Sequence, residues 1–140
     1  MICMKLEIYT DGACYPNPGR MGIGIVIKNG KNAIKTIVEA TGKGTNNIAE
    51  YQAVIKALKE ARKLKAEEIK IYSDSQLVVN QVNGNYSVKD EELKQLHAEV
   101  IRLKDDFKIC NFIQIDREEN RFANRLSIQA IHKRHSNLFT

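Results

Sequence analysis

The chain has 140 residues, 43% hydrophobic and 28% charged, with 22 Lys and Arg against 17 Asp and Glu, for a formal net charge of +5. That size and balance predict a single globular domain over 1–140 and exclude a disordered chain or a disulfide-dense miniprotein. No apolar run approaches the ~20 residues of a membrane span, and the charges at Lys5 and Glu7 set Met1 to Tyr9 apart from a secretory leader. The three cysteines, Cys3, Cys14 and Cys110, form no C-x-x-C pair. Free thiols in a reducing, cytoplasmic setting are expected, without a zinc ribbon or a thioredoxin-like site. His97, His132 and His135 fall on helical or terminal segments and read as surface histidines.

In chain order, Lys5 to Thr10 alternates Leu6 and Ile8 with polar residues and predicts a strand. Asp11 closes it, and the run to Gly19 is dense in turn residues. Met21 to Lys28, with Ile23, Ile25 and Ile27 in alternation, is a second strand. Asn29-Gly30 is a hairpin signal leading into a third, antiparallel strand over Ala33 to Ala40. Thr45-Asn46-Asn47 supply N-cap candidates for a helix running to about Lys65, with Ile48, Tyr51, Val54, Ile55, Leu58 and Ala61 on its apolar face. Glu68 to Tyr72 is a fourth strand. Ser73-Asp74-Ser75 then caps a short helix over Gln76 to Val82, broken by Asn83-Gly84-Asn85. Asp90 to Asp106 is a third helix with Leu93, Leu96, Val100 and Leu103 inward. Phe107 to Ile115 is a fifth strand. Glu119 to His132 is a last helix whose apolar set is Phe122, Leu126, Ile128, Ala130 and Ile131. Helices between strands supply the crossovers of parallel pairing. The order βββαβααβα predicts an α/β fold: a mixed five-stranded sheet, three strands antiparallel and two parallel, with helices on both faces.

Three acids fall where such a sheet places ligands. Asp11 and Asp74 follow strands one and four, which the connections allow to be parallel neighbours, and the crevice beyond the carboxyl ends of strands is the usual site. A helix packed on the sheet brings Glu50 to the same place. Clustered carboxylates stay ionised only against cations, and hard oxygen ligands select Mg²⁺ or Mn²⁺. Taken singly, Asp11 and Asp74 also read as turn and cap residues, and Glu50 as a helix-dipole partner. Their joint placement is what points to chemistry.

Four segments, Thr10-Asp11-Gly12-Ala13 with Asn17-Pro18-Gly19, Thr45 to Glu50, Ser73 to Gln76, and Arg117 to Leu126, together resemble type 1 ribonuclease H, in a prokaryotic short form. The resemblance runs from Lys5 to about Ile131. It implies a ribonuclease H-like fold and metal-dependent endonucleolytic hydrolysis of the RNA strand of RNA·DNA hybrids, leaving 5′-phosphate and 3′-hydroxyl ends. It also implies a complement of two Mg²⁺ or Mn²⁺ ions about 4 Å apart. By similarity Asp11, Glu50, Asp74 and Asn124 are the catalytic and metal-ligating positions. Gly12, Ala13, Asn47 and Gln76 match positions that read the RNA 2′-hydroxyl, and Asn17, Thr45 and Asn46 match positions near the DNA strand. Arg20 and Lys43 are candidate phosphate contacts. A monomer with no obligate protein partner and no membrane is expected.

The chain departs from the family at three places. Asn124 stands where the family has a fourth acid, so the site carries three formal charges rather than four. That makes the alternative a hybrid-binding module with strongly reduced turnover. The loop before the last helix lacks the family's histidine and holds Asp116, Glu118 and Glu119, either of the glutamates being a candidate for product or metal release. The basic protrusion of some members is missing, and Asp90 opens a plain helix instead. The basic end, Ile131-His132-Lys133-Arg134-His135, reads as a solvated helix terminus.

Overall fold

The computed structural model describes residues 4–136, with side chains through His132. Cys3 and the side chains of Lys133, Arg134 and His135 lie outside the described set. The elements are β1 (Lys5–Tyr15), β2 (Gly19–Asn29), β3 (Asn32–Gly44), α1 (Asn46–Lys63), β4 (Glu68–Ser73), α2 (Gln76–Val82), α3 (Glu91–Lys104), β5 (Ile109–Gln114) and α4 (Arg121–Ser136). The sheet order is β3-β2-β1-β4-β5. β1 pairs antiparallel with β2, and β2 with β3, whereas β1–β4 and β4–β5 are parallel. This is the mixed sheet the element order predicted.

Two expectations change. β1 does not stop at Asp11 but continues to Tyr15, pairing Asp11 with Gly24 and Tyr15 with Arg20. The Asp-Gly pair sits in mid-strand because β2 is long enough to keep satisfying its backbone, so the reversal is left to Pro16, Asn17 and Pro18. The β2–β3 hairpin closes over Gly30 and Lys31, one residue later than Asn29-Gly30, with Gly30 at φ +66°.

Alternation along β2 decides which helix covers which face. Ile23, Ile25 and Ile27 enter the main core with Leu6, Ile8, Ile69, Ile71 and the inner face of α1. On α1 that face carries Ala49, Ala53, Ala57 and Ala61, four residues apart and each 0% exposed. Small side chains there let the helix axis come close to the sheet. The opposite face of β2 presents Gly22 and Gly24, and α4 lies on them. A Cβ on Gly24 would fall 2.5 Å from Ser127 N and 2.7 Å from Leu126 Cβ. The buried side of α4 is therefore Ala123, Ser127, Ala130 and Ile131. Phe122 and Ile128, expected inside, are exposed, at 62% and 44%. The helix is buried along small residues, with Ile131 at the end of the row, because at Gly24 helix and sheet approach too closely for larger ones.

Candidate active site

Asp11 is set by its strand. The parallel β1–β4 ladder runs from Lys5↔Glu68 to Tyr9↔Tyr72, and the two strands then part. Thr10 Oγ1 spans the gap, donating to the Tyr72 carbonyl at 3.2 Å. On one side of the opening is Asp11. On the other is Asp74, just past Ser73, the last residue of β4. Ser75 N–H donates to Ser73 Oγ at 3.1 Å, and Ser75 Oγ caps α2 by accepting from Val78 N–H at 3.2 Å. The chain direction after Asp74 is thus held by two hydroxyls.

Glu50 arrives from α1, which Thr45 caps by accepting from Ile48 N–H at 3.3 Å. Its approach depends on Gly12. A Cβ on Gly12 would overlap the Ala49 carbonyl and the Glu50 amide nitrogen. Without one, Gly12 N–H donates to Glu50 Oε1 at 2.8 Å. One oxygen from each of Asp11, Glu50 and Asp74 then lies within 4.8 Å of the others. Asp11 and Glu50 are buried, 3% and 6% exposed, and Asp74 is half-buried.

Burial pushes the Asp11 carboxyl up to about 6, reinforced by the neighbouring Asp74 charge and partly offset by hydrogen bonds from Asn124 and Ser127. Glu50 is raised well above the usual carboxylate range, first by burial and then by the Asp11 charge, against the Gly12 N–H that favours the ion. Such a cluster of hard oxygen donors, dehydrated and mutually repelling, fits a divalent cation.

The other predicted positions are distributed around the acids and the start of α1. Asn124 joins the acids, its Nδ2 donating to Asp11 Oδ2 at 2.8 Å. Asn17, Thr45 and Asn46 form a second set, with Asn46 N–H donating to Asn17 Oδ1 at 3.2 Å across the β1–β2 turn and the α1 start. Asn47 is exposed on the first turn of α1, and Ala13 is half-buried next to Gly12. Gln76 opens α2, exposed, with Nε2 donating to Tyr86 Oη at 3.0 Å. Arg20 and Lys43 sit directly opposite each other across β2 and β3, both exposed. Like charges so placed repel, and an anion relieves them.

Sequence reasoning missed four contributors. Ser127, on α4 and 0% exposed, places Oγ 2.9 Å from Asp11 Oδ2. Asn120 is 1% exposed, and its Nδ2 donates to the Thr10 carbonyl at 2.8 Å, tying the start of α4 to the strand that carries Asp11. Tyr86 holds Gln76. In the β5–α4 loop it is Arg117, not a glutamate, that meets the acids, with Nε 3.8 Å from Asp74 Oδ2. Glu118 pairs with Arg121 at 3.6 Å, and Glu119 N–H donates to Asp116 Oδ1 at 2.9 Å. The i, i+3 spacing of Asn124 and Ser127 was the available signal, obscured by the expectation that Phe122 and Ile128 faced inward. Cys14 and Cys110 are free thiols, and His97, expected at the surface, is half-buried on α3 with Nε2 3.0 Å from the Gln81 carbonyl. No helix among the described residues is long and apolar enough to cross a membrane.

The family model described as reverse transcriptase-like matches residues 9–130. The bifunctional protein Rv2228c of Mycobacterium tuberculosis is 35% identical over 91% of this chain, but the match spans only 36% of that protein. A solved structure of its N-terminal RNase H domain superposes with a TM-score of 0.87, covering 91% of this chain and 98% of that one. RNase H1 of Halobacterium salinarum gives 0.90 at 30% identity, covering 92% and 98%. LC11-RNase H1, solved in complex with an RNA/DNA hybrid, gives 0.87 at 36% identity, covering 91% and 97%. The fold is thus shared with these relatives, and the chain belongs to the reverse transcriptase-like family of ribonuclease H-like domains.

Proposed function

We propose that this chain hydrolyses the RNA strand of RNA·DNA hybrids, with divalent cations bound at Asp11, Glu50 and Asp74. The observation that carries the reading is the meeting of three carboxylates within 4.8 Å, two of them buried, at the point where parallel strands part. The hybrid bound by LC11-RNase H1 supports the substrate class. When bound, Mg²⁺ or Mn²⁺, two per site in the reacting complex, supplies Lewis-acid charge to the scissile phosphate and lowers the pKa of an attacking water. The ends produced are 5′-phosphate and 3′-hydroxyl.

The chain's own groups bind and orient. Ala13, Asn47 and Gln76, each two or three residues along the chain from one of the acids, present amides to the RNA 2′-hydroxyls, with Tyr86 fixing the Gln76 amide, while the Gly12 N–H is taken by Glu50 Oε1. Asn17, Thr45 and Asn46 form the neighbouring ledge for the DNA strand, and Arg20 with Lys43 takes a phosphate. Arg117 reaches the acids from the α4 side and screens Asp74. Asn124 contributes a neutral amide where the family's pattern has an acid, so it adds no negative charge to hold a cation and accepts no proton.

That last feature favours a second reading, a hybrid-binding module with little turnover. Cleavage of a labelled hybrid with Mg²⁺, Mn²⁺ or chelator, comparing the chain with Asn124→Asp and Glu50→Gln, separates the two. The expected result is metal-dependent RNA cleavage by the chain itself that Glu50→Gln abolishes; a jump of about 10²–10⁴-fold in Asn124→Asp favours the binding module. Cleavage by Asn124→Asp alone establishes the binding module. Failure of both to cut, with both folded, overturns the catalytic reading.

A further inference from the structure

The end of β1 holds a side chain that the chemistry above does not use. Tyr15 is 75% exposed, the most exposed large hydrophobic side chain among the described residues. The backbone that carries it is nonetheless tied down. Tyr15 pairs with Arg20 across the turn. Cys14 Sγ, one residue earlier, lies 3.2 Å from both the Pro16 and the Gly44 carbonyl oxygens, and Asn17 Oδ1 accepts from Asn46 N–H at 3.2 Å. A Cβ on Gly19 would overlap the Pro16 carbonyl, so the turn closes this tightly only with glycine there. The turn is thus stapled to the end of β3 and the start of α1, while the ring it presents stays in water.

Strand alternation puts Asp11, Ala13 and Tyr15 on one face of β1 and turns Cys14, with its partner Met21, to the other. At ~3.3 Å per residue, Tyr15 stands about 13 Å along the strand from Asp11. Tyr15 is opposite Arg20, and Arg20 is opposite Lys43. A tyrosine, an arginine and a lysine therefore form one exposed row across three strands.

An aromatic ring beside cations is the composition of a nucleic-acid groove. The bases of a duplex are paired and stacked inside it, so a ring at its wall meets a sugar. A phosphate held by Arg20 and Lys43 brings the adjoining sugar to Tyr15. A deoxyribose offers the ring a CH₂ group at C2′. A ribose offers a hydroxyl, which the ring face would strip of water without returning a hydrogen bond.

We infer that Tyr15 is a further substrate-binding residue whose ring packs on a deoxyribose of the DNA strand, and that this contact makes the chain prefer RNA·DNA hybrid to duplex RNA. The inference rests on the hybrid being the substrate and on Arg20 with Lys43 taking a phosphate.

The test is fluorescence anisotropy with short labelled RNA·DNA and RNA·RNA duplexes of one sequence, in chelator and at several salt concentrations. The parent chain, Tyr15→Ser and Tyr15→Phe are compared. Tyr15→Ser is expected to weaken hybrid binding roughly 5–30-fold, the worth of covering one ring face, and to change duplex RNA binding by no more than about twofold. Tyr15→Phe is expected to keep the parent's preference. Tyrosine carries no charge, so the slope of affinity against salt should not change. A slope lowered by about one in Tyr15→Ser shows that the substitution acts by displacing Arg20 or Lys43, and overturns the ring contact.

Equal hybrid binding by the parent and Tyr15→Ser, or an equal loss for both duplexes, overturns the inference and leaves hybrid hydrolysis standing. Failure to bind either duplex, by the parent in chelator and by Glu50→Gln in Mg²⁺, overturns the substrate reading and the inference with it.

Discussion

Replacing Asp11 by Asn should stabilise the metal-free protein at neutral pH while removing its response to metal. Asp11 is 3% exposed, and its carboxyl is raised from 3.8 to about 6, mainly by burial and then by Asp74. Because the folded-state value lies above the unfolded one, folding takes up a proton between about pH 4 and 6. The penalty for ionised Asp11 is absent below that window and complete above it. At ~1.4 kcal/mol per unit, it amounts to about 3 kcal/mol. Glu50, raised for the same reasons, adds to it in the same direction.

An Asn side chain at position 11 keeps an oxygen for the Asn124 and Ser127 donors and presents its amide hydrogens to the Glu50 and Asp74 carboxylates. Most of the penalty is thus recovered. Melts in chelator at pH 7.5 should show Asp11→Asn roughly 5–10 °C above the parent, with the gain disappearing near pH 4. Mn²⁺ should raise the parent's midpoint, since a ligand at ~100 times its Kd contributes about 2.7 kcal/mol, and should barely move the variant. A variant that melts below the parent in chelator at pH 7.5, or a gain independent of pH, refutes the electrostatic reasoning.

Gly12→Ala forces a Cβ into the Ala49 carbonyl, and the expected cost is about 2–3 kcal/mol in denaturant unfolding, with loss of hydrolysis as Glu50 is displaced. Asn120→Ala strands the buried Thr10 carbonyl that Asn120 Nδ2 meets at 2.8 Å. A loss of about 1–3 kcal/mol is expected, read as a lower midpoint in both chelator and Mn²⁺. Hybrid affinity should fall linearly on a log–log plot against salt, and Arg20→Ala or Lys43→Ala should each reduce that slope by about one if the pair contacts phosphate.

Periodicity and punctuation made most of the architecture legible. Apolar alternation marked strands one, two and five, a hairpin signal the third and a β-rich run the fourth; Thr45, Ser75 and Asp90 each cap the helix that follows them, and the βββαβααβα order by itself led to the mixed sheet. Local pattern misled where a partner overruled it. Asp11-Gly12 carries a strong turn signal, yet β2 keeps it extended through Tyr15. On α4, large apolar residues suggested an inner face of Phe122 and Ile128, whereas the side turned to the glycines of β2 is Ala123, Ser127, Ala130 and Ile131.

The same division runs through the site. Asp11, Glu50 and Asp74 were identifiable from their motifs, because each belongs to a short segment whose residue types are set by backbone geometry. Of the donors that serve Asp11, Asn124 was reached through the resemblance of its segment and Ser127 was not. Asn124 and Ser127 lie 113 and 116 residues from it, and Arg117 reaches Asp74 from a loop whose charges gave no direction. Hydrogen bonds of that separation leave no periodic trace in a single chain. They exist only once β1, β2 and α4 are stacked, because only then does Asp11 meet the donors on α4.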